Sequence, residues 1–546
     1  MPSLPSRYAA GILLILTVLT SKAYEAGYYR AVSALADGRW VKVAVDTTGV
    51  YEISDSQLRE WGFANPAEVH VYGYGGVAAH EQHFDGTVPD ALPIAPSVRT
   101  TDGRLVFYAE GPVRAWFRGS SKELVDVQRN PYSRQAYYLL TDKGTNLKPK
   151  RQEYASRATD AVRWHYAIGL AENELTGFNG GSVFHGRPLS AGESETTKFR
   201  LRNPGWDNDE EPVVKYRVET AANTRQAMVF DLSFSDNVTV GAMTRPVCAA
   251  NTVTPILYTR GEGYAYLTLG DSDTRDIVVE ATSGVPASAS PSYAAVDRSY
   301  IIYPRRNIVE PDMSELMLNL VDISGVENIL IEGATATTCV WDVTNPTDVT
   351  ILGTSATDDG IEATLTPGQG IGRRLVAFDP SARHRQVSFA GEIAGQNIHG
   401  EATPDMLIIT TTTMLEAALE LADIHRADGL DVLVVTQEAA FNEFGAGTPT
   451  PAALRRMVKM FYDRNPEKLR YLLLYGPSTC DPRFIAHSPG DYLLTHECDN
   501  ATICRDSGAN YASDMYYGML SDNYRHQRIE IEPVLISVGR LSPTTP

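Results

Sequence analysis

Met406–Thr410 (MLIIT), Val432–Val435 (VLVV) and Tyr471–Tyr475 (YLLLY) are three unbroken apolar runs near the end of a 546-residue chain. Runs without alternation mark strands covered on both faces. Helical patterns lie between them. Thr413–Arg426 puts Leu415, Ala418, Leu419 and Ala422 on one face. Further on, Leu454, Met457, Val458 and Phe461 repeat at i, i+3, i+4 and i+7, with Thr450 as cap and Pro451 at the first helical position. Strand, helix, strand, helix, strand with short joints predicts a doubly wound parallel sheet. Val534–Val538 supplies a fourth strand. Sites in such sheets lie beyond the carboxyl ends of the strands, here Thr410–Thr413, Thr436–Glu438 and Gly476–Arg483. With its last strand so near Pro546, the α/β domain of residues 404–546 reads as truncated.

The chain upstream of Pro404 has a different grammar. Residues 24–160 read as a β-rich N-terminal domain. In it Trp40–Val45 alternates, Val50–Ile53, Val69–Tyr74, Leu105–Tyr108 and Leu139–Thr141 follow as strands, and Ser54–Trp61 forms a short helix ended by Gly62. Residues 161–403 read as a β-sandwich or jelly-roll-like region. Its strands are Val214–Glu219, Met228–Phe234, Ala265–Leu269, Asp276–Ala281, Tyr300–Tyr303, Asn328–Glu332, Thr338–Val343, Val349–Leu352 and Leu375–Phe378. Asp312–Val321 reads as a helix on the spacing of Leu316, Met317 and Leu320.

At the N-terminus, Arg7 precedes the apolar run Ala9–Thr20, and Ser21 and Ala23 are small residues before a cut after Ala23. This is the pattern of a cleaved export signal over residues 1–23. The net charge of −19 disfavours nucleic acid, whose backbone needs clustered cations. Five cysteines are too few for a disulfide scaffold, although Cys498 and Cys504 are close enough to pair. No metal or cofactor is called for by any spacing in the chain.

Within the chain, Cys480 sits in Gly476-Pro-Ser-Thr-Cys480-Asp481, with His487 and His496 downstream, and is an alternative nucleophile. A small residue filling a loop accounts for it better, because nothing in the spacing brings the thiol to an imidazole. The last segment is more specific. It runs Tyr511-Ala-Ser-Asp514-Met-Tyr516-Tyr517-Gly518, then Asp522, then Ile536-Ser-Val-Gly539-Arg540-Leu541. With Gly38-Arg-Trp-Val-Lys-Val-Ala44, Gly49-Val-Tyr51, Ala64-Asn-Pro-Ala-Glu-Val-His-Val-Tyr-Gly-Tyr-Gly-Gly76 and Tyr471-Leu-Leu-Leu-Tyr-Gly476, this resembles the gingipain-type cysteine peptidases of the caspase-like clan. Within them it is similar to the branch that acts as C-terminal signal peptidase and sortase of the type IX secretion system. The likeness covers nearly the whole mature chain.

The resemblance implies a caspase-like sheet behind β-rich N-terminal domains, and thiol-dependent peptide cleavage. It implies partners as well: cargo proteins with C-terminal secretion signals, outer-membrane secretion and attachment proteins, and lipopolysaccharide as acceptor at the cell surface. In that family the catalytic His and Cys follow the next strands after Gly-Arg-[Phe/Leu]. Neither motif occurs here, so both are expected beyond Pro546 and the polypeptide as given is expected to be inactive. Asp514, Asp522 and Arg540 are the cleft candidates, with loop capping or a structural ion pair as the competing account. The alternative for the whole is a non-catalytic surface or adhesion protein with a degenerate version of the fold.

Overall fold

Alternation in Trp40–Val45 becomes an inner strand of a five-stranded sheet, flanked by Ala136–Thr141 and by Ser388–Ile393 from much later in the chain. The computed structural model describes residues 26–76, 84, 88–119, 121–143, 148–157, 159–173, 175–176, 184–205, 213–250, 259–269, 276–285, 293–321, 325–366, 372–479, 481–483, 491–497, 512–521 and 533–543. The export signal, Cys480, His487, Cys498, Cys504 and Asp522 lie outside these residues. A four-stranded sheet containing Gly49–Ser54 and Arg104–Ala109 packs on the first, and Val43, Ile53, Phe107 and Tyr138 meet between them. The helix between them, Asp55–Glu60, starts where Ser54 and Gln57 form a reciprocal capping box, and Gly62 follows it at φ +90°.

The middle of the chain builds a ten-stranded sheet with two partners. One end faces a four-stranded sheet that includes Met228–Phe234 and Asp276–Ser283, enclosing Tyr216, Phe230, Leu267 and Ile301. The other end faces the three-stranded sheet of Glu327–Glu332, Gly360–Leu365 and Thr354–Ala356, enclosing Leu318, Ile331 and Leu375. Both are sandwiches in which alternate side chains fill the core.

One sequence expectation fails here. Asp312–Val321 is not a helix, because Glu315–Leu320 is a strand paired with Arg373–Phe378. Leu316, Leu318 and Leu320 are buried while Glu315, Met317 and Asn319 are partly exposed, a period of two. The helical spacing of Leu316, Met317 and Leu320 also fits a two-residue period once Leu318 is counted, and the sheet partner decides between them.

The C-terminal α/β unit comprises β1 (Met406–Thr410), α1 (Leu415–Ala427), β2 (Val432–Thr436), α2 (Gln437–Phe444), α3 (Pro451–Arg464), β3 (Tyr471–Tyr475) and β4 (Ser537–Leu541). The sheet order is β2-β1-β3-β4, parallel throughout. The fourth strand starts three residues later than Val534–Val538 and includes the Gly-Arg-Leu segment. Arg540 can occupy a strand because its guanidinium has acceptors at the sheet end. Helix α2 was not foreseen, since QEAAFNEF lacks a long apolar stripe. It is started by Thr436, whose side chain accepts from the Ala439 amide. On one sheet face Leu407, Ile409, Leu472 and Leu474 pack with Leu454, Met457 and Phe461 of α3. On the other, α1 lies over β1 and β2, bringing Ala418 and Ala422 against Met406 and Ile408.

Candidate functional site

At the carboxyl edge of the sheet, Arg540 of β4 braces the exit of β3 and the loops beside it. Its side chain points to the same face as Leu474, with which it is in register. The guanidinium donates from Nε to Asp514 Oδ2 at 2.7 Å and from Nη2 to Asp514 Oδ1 at 2.6 Å. Nη1 donates to the carbonyls of Gly476 at 2.9 Å and Leu493 at 3.3 Å. One planar group thus ties the exit of β3, the 491–495 segment and the turn Asp514–Gly518. This planar, two-pronged pairing with a carboxylate is a geometry that only arginine supplies.

Asp514 also accepts from Thr495 Oγ1 at 2.8 Å. The turn behind it presses Gly518 against β4, where an added Cβ would come within 2.7 Å of Val534 and 2.8 Å of Val538. Tyr517 donates its hydroxyl to the Leu494 carbonyl at 2.7 Å, and His496 stacks on Tyr516 with ring centroids 4.1 Å apart. Arg540→Lys keeps the charge but loses the fork. It is expected to cost roughly 1.5–3 kcal/mol, the worth of a charged hydrogen bond, and to raise amide hydrogen exchange at Gly476–Thr479. Exchange in that segment unchanged from the parent protein would contradict the brace.

Above the brace lies a cleft of about 690 Å³. One wall is the carboxyl edge of the sheet, with Gln437, Glu438, Asp491 and Tyr492, and the other is the N-terminal domain, with Lys42, Tyr132 and Tyr137. The two walls are locked together. Tyr132 is buried in the core of the α/β unit, and its hydroxyl accepts from the Glu497 amide at 3.1 Å. Asn130 Nδ2 donates to the Pro449 carbonyl at 3.3 Å.

Of the residues singled out from sequence, the structure joins Asp514 to Arg540. It sets His496 against Tyr516, beneath the same edge. The two described thiols belong to the β-rich part of the chain, and burial pushes Cys248 and Cys339 both up to about 11. At neutral pH both are protonated and poor nucleophiles. The wall contributed by Lys42, Tyr132 and Tyr137 was missed. Lys42 is the polar position of an alternating strand and reads as solvent-facing. The only signal was the polar-aromatic string QRNPYSRQAYY, which carries no chemistry by itself.

Residues 399–546 match the family model described as Peptidase family C25. The chain carries a C25-type peptidase domain. Among solved structures, the one titled "Crystal structure of dimeric latent PorU from Porphyromonas gingivalis" superposes with a TM-score of 0.82 at 25% identity. It covers 95% of this chain and 49% of that one, so the chain spans about half the length of that relative. A structure of infectious bursal disease virus Gx strain aligns at a TM-score of only 0.16 and 10% identity, over 72% of this chain and 90% of the other, and carries no argument. No curated protein sequence matches the chain. The C25 match begins at His399, in the turn before β1, and takes in the whole parallel sheet, the cleft wall at its edge and the Ser513-Asp514 and Gly539-Arg540-Leu541 segments. The superposition with PorU extends over the β-rich sheets as well. No helix among the described residues is long and apolar enough to cross a membrane.

Proposed function

We propose that this chain is the N-terminal part of a cell-surface cysteine peptidase that removes the C-terminal secretion signal of type IX cargo and passes the cargo to a lipopolysaccharide anchor. The observation that carries this reading is the joint likeness to a C25 domain over residues 399–546 and to PorU over 95% of the chain. The catalytic His and Cys of this reading are supplied by polypeptide after Pro546, as expected of a chain half as long as its relative.

The sheet itself supports further strands or helices. Tyr471, Leu473 and Tyr475 of β3 share a face with Ser537, Gly539 and Leu541 of β4. On that face Tyr471 and Leu541 are exposed, 40% and 47%. Parallel sheets are ordinarily covered on both faces, so this open corner suits a packing partner. In this reading the leader is cut after Ala23, the regions 24–160 and 161–403 hold the peptidase domain at its working position, and outer-membrane secretion and attachment proteins are its neighbours.

The reaction needs a thiolate, a base to form it and amides for the oxyanion. The residues described here supply the two walls of a cleft. The polypeptide as given is expected to cleave no cargo C-terminal signal, whereas its extension to the length of the relative is expected to do so and to be stopped by a thiol alkylator. Alkylator-sensitive turnover by residues 24–546 that is lost in Cys480→Ala would refute the assignment. A non-catalytic surface protein is the outcome if the extended chain binds cargo without cutting it.

A further inference from the structure

Three cations line the cleft between the two walls, Lys42, Arg134 and Arg483, and the ammonium of Lys42 stands on a strand of the N-terminal domain facing the sheet edge. The three carboxylates of the cleft are each held locally. Asp46 Oδ1 accepts from Gln135 Nε2 at 2.9 Å, and Asp491 Oδ2 accepts from Thr411 Oγ1 at 2.6 Å. Glu438 accepts from Thr412 Oγ1 at 3.1 Å and from Gln437 Nε2 at 3.2 Å.

Lys42 differs. Its strand is pinned on both sides, paired with Leu139 and Gly391. Its aliphatic stem passes Gly447, at φ +87°, where an added Cβ would sit 3.1 Å from Lys42 Cδ. The ammonium donates to Asn442 Oδ1 over a long 3.4 Å and lies 5.1 Å from the centre of the Tyr137 ring. Among the described residues it makes no ion pair within 4.0 Å. Burial lowers its pKa, and the attraction of Glu438 does not make up the difference. A partly desolvated ammonium with only a neutral amide oxygen and a ring face for company is costly, and an incoming anion offsets that cost.

The surroundings favour a peptide as the source of the anion. Tyr132, Tyr137, Phe441 and Tyr492 line the same space. Its volume is within the range of ligand sites built from apolar walls and a few placed polar groups. We propose that Lys42 is a specificity residue of this cleft and takes a carboxylate, side-chain or C-terminal, of a polypeptide lying along the carboxyl edge of the sheet. The choice of a polypeptide rests on the peptidase reading above; the anion site rests on Lys42 itself.

Fluorescence anisotropy with three labelled pentapeptides tests it on the full chain: Ala-Glu-Ala-Glu-Ala amide, Ala-Gln-Ala-Gln-Ala amide, and Ala-Gln-Ala-Gln-Ala with a free carboxyl terminus. At least one carboxylate-bearing peptide is expected to bind about tenfold or more tightly than the neutral amide. Lys42→Gln is expected to abolish that preference, and Lys42→Arg to retain it, which separates lost charge from lost folding. Which peptide gains identifies a side-chain or terminal carboxylate. Equal binding of all three, no binding of any, or an undiminished preference in Lys42→Gln overturns the proposal. Because binding is read without turnover, an inactive extended enzyme would sink the peptidase reading and leave this result standing.

Discussion

Arg374→Met will destabilise the β-rich half of the molecule by roughly 3–5 kcal/mol, because it takes the nearer cation from the buried Glu110 carboxylate and leaves Arg114 Nε at 4.0 Å. Arg374 Nη1 lies 3.2 and 3.1 Å from the two oxygens of Glu110, whose side chain is 0% exposed. Glu110 also accepts from the Tyr108 hydroxyl at 2.9 Å. Burial, and then the charge of Glu110, hold that hydroxyl well above the usual phenol range. Burial alone would lower the Arg374 pKa, but the charge of Glu110 outweighs it and raises it. The pair matters for architecture because Glu110 follows a strand of the N-terminal sandwich while Arg374 lies in the ten-stranded sheet. Urea unfolding followed by far-ultraviolet circular dichroism should show the midpoint fall in Arg374→Met. It should recover in large part in the double variant Glu110→Leu/Arg374→Met, where the buried carboxylate is gone too and the remaining charge is Arg114, whose side chain is 16% exposed. A double variant no more stable than the single one would show that the loss comes from packing rather than from the carboxylate that has lost its nearer cation.

That pair was invisible in the sequence, and the reason is general. Glu110 and Arg374 stand 264 positions apart, and each alone looks like an ordinary surface charge. The strands of the α/β unit were legible because burial on both faces leaves its mark within five residues, as in MLIIT and YLLLY. The cap at Thr450 was legible too: Pro451 follows it, and its side chain accepts from the Ala452 amide at 3.3 Å. By contrast Leu316, Leu318 and Leu320 satisfied two periods, and only the pairing with Arg373–Phe378 chose the strand.

The parallel sheet and the cleft at its carboxyl edge follow from topology, since strand order and handedness are local consequences of short joints. The contents of the cleft were only half legible. Asp514 and Arg540 stood out through a family resemblance, and the fork between them needed the fold. Lys42, Tyr132 and Tyr137 come from a different domain, 300 to 450 residues earlier than the wall they face. No short-range pattern records such a meeting.

The same separation hides His399, whose replacement by Gln should weaken the join between the N-terminal segment and the C25 domain in a pH-dependent way. The imidazole is buried in the turn before β1. Nδ1 is 2.6 Å from Glu443 Oε2 on α2, and Nε2 is 3.2 Å from Asp90 Oδ1 of the N-terminal region. The ring stacks on Phe444 with centroids 4.5 Å apart. Arg464 donates to the carbonyls of His399 at 2.8 Å and Arg30 at 2.7 Å, and the Arg30 amide donates to Asp90 at 2.8 Å. Burial alone would lower the histidine pKa, but the hydrogen bonds to Asp90 and Glu443 outweigh it and raise it. Stability from the protonated ring is therefore complete below about pH 6.5, the unfolded value, and is lost as pH rises through the raised folded value. Glu443 runs the other way. Burial would raise it, yet hydrogen bonds from His399, Gln396 and the Ile398 amide lower it. Its contribution is present above about pH 4.3 and fades as pH falls through the lowered folded value. The clasp is strongest between about pH 4.3 and 6.5. Near pH 6, His399→Gln should cost roughly 3–5 kcal/mol, because Asp90 and Glu443 lose the cation that lies between them. Thermal unfolding from pH 6 to 9 should show parent and variant converge as the parent loses its proton. A gap that stays constant across that range would mean that His399 holds the two domains as a neutral spacer, with its stack on Phe444 and the Arg464 contact carrying the join.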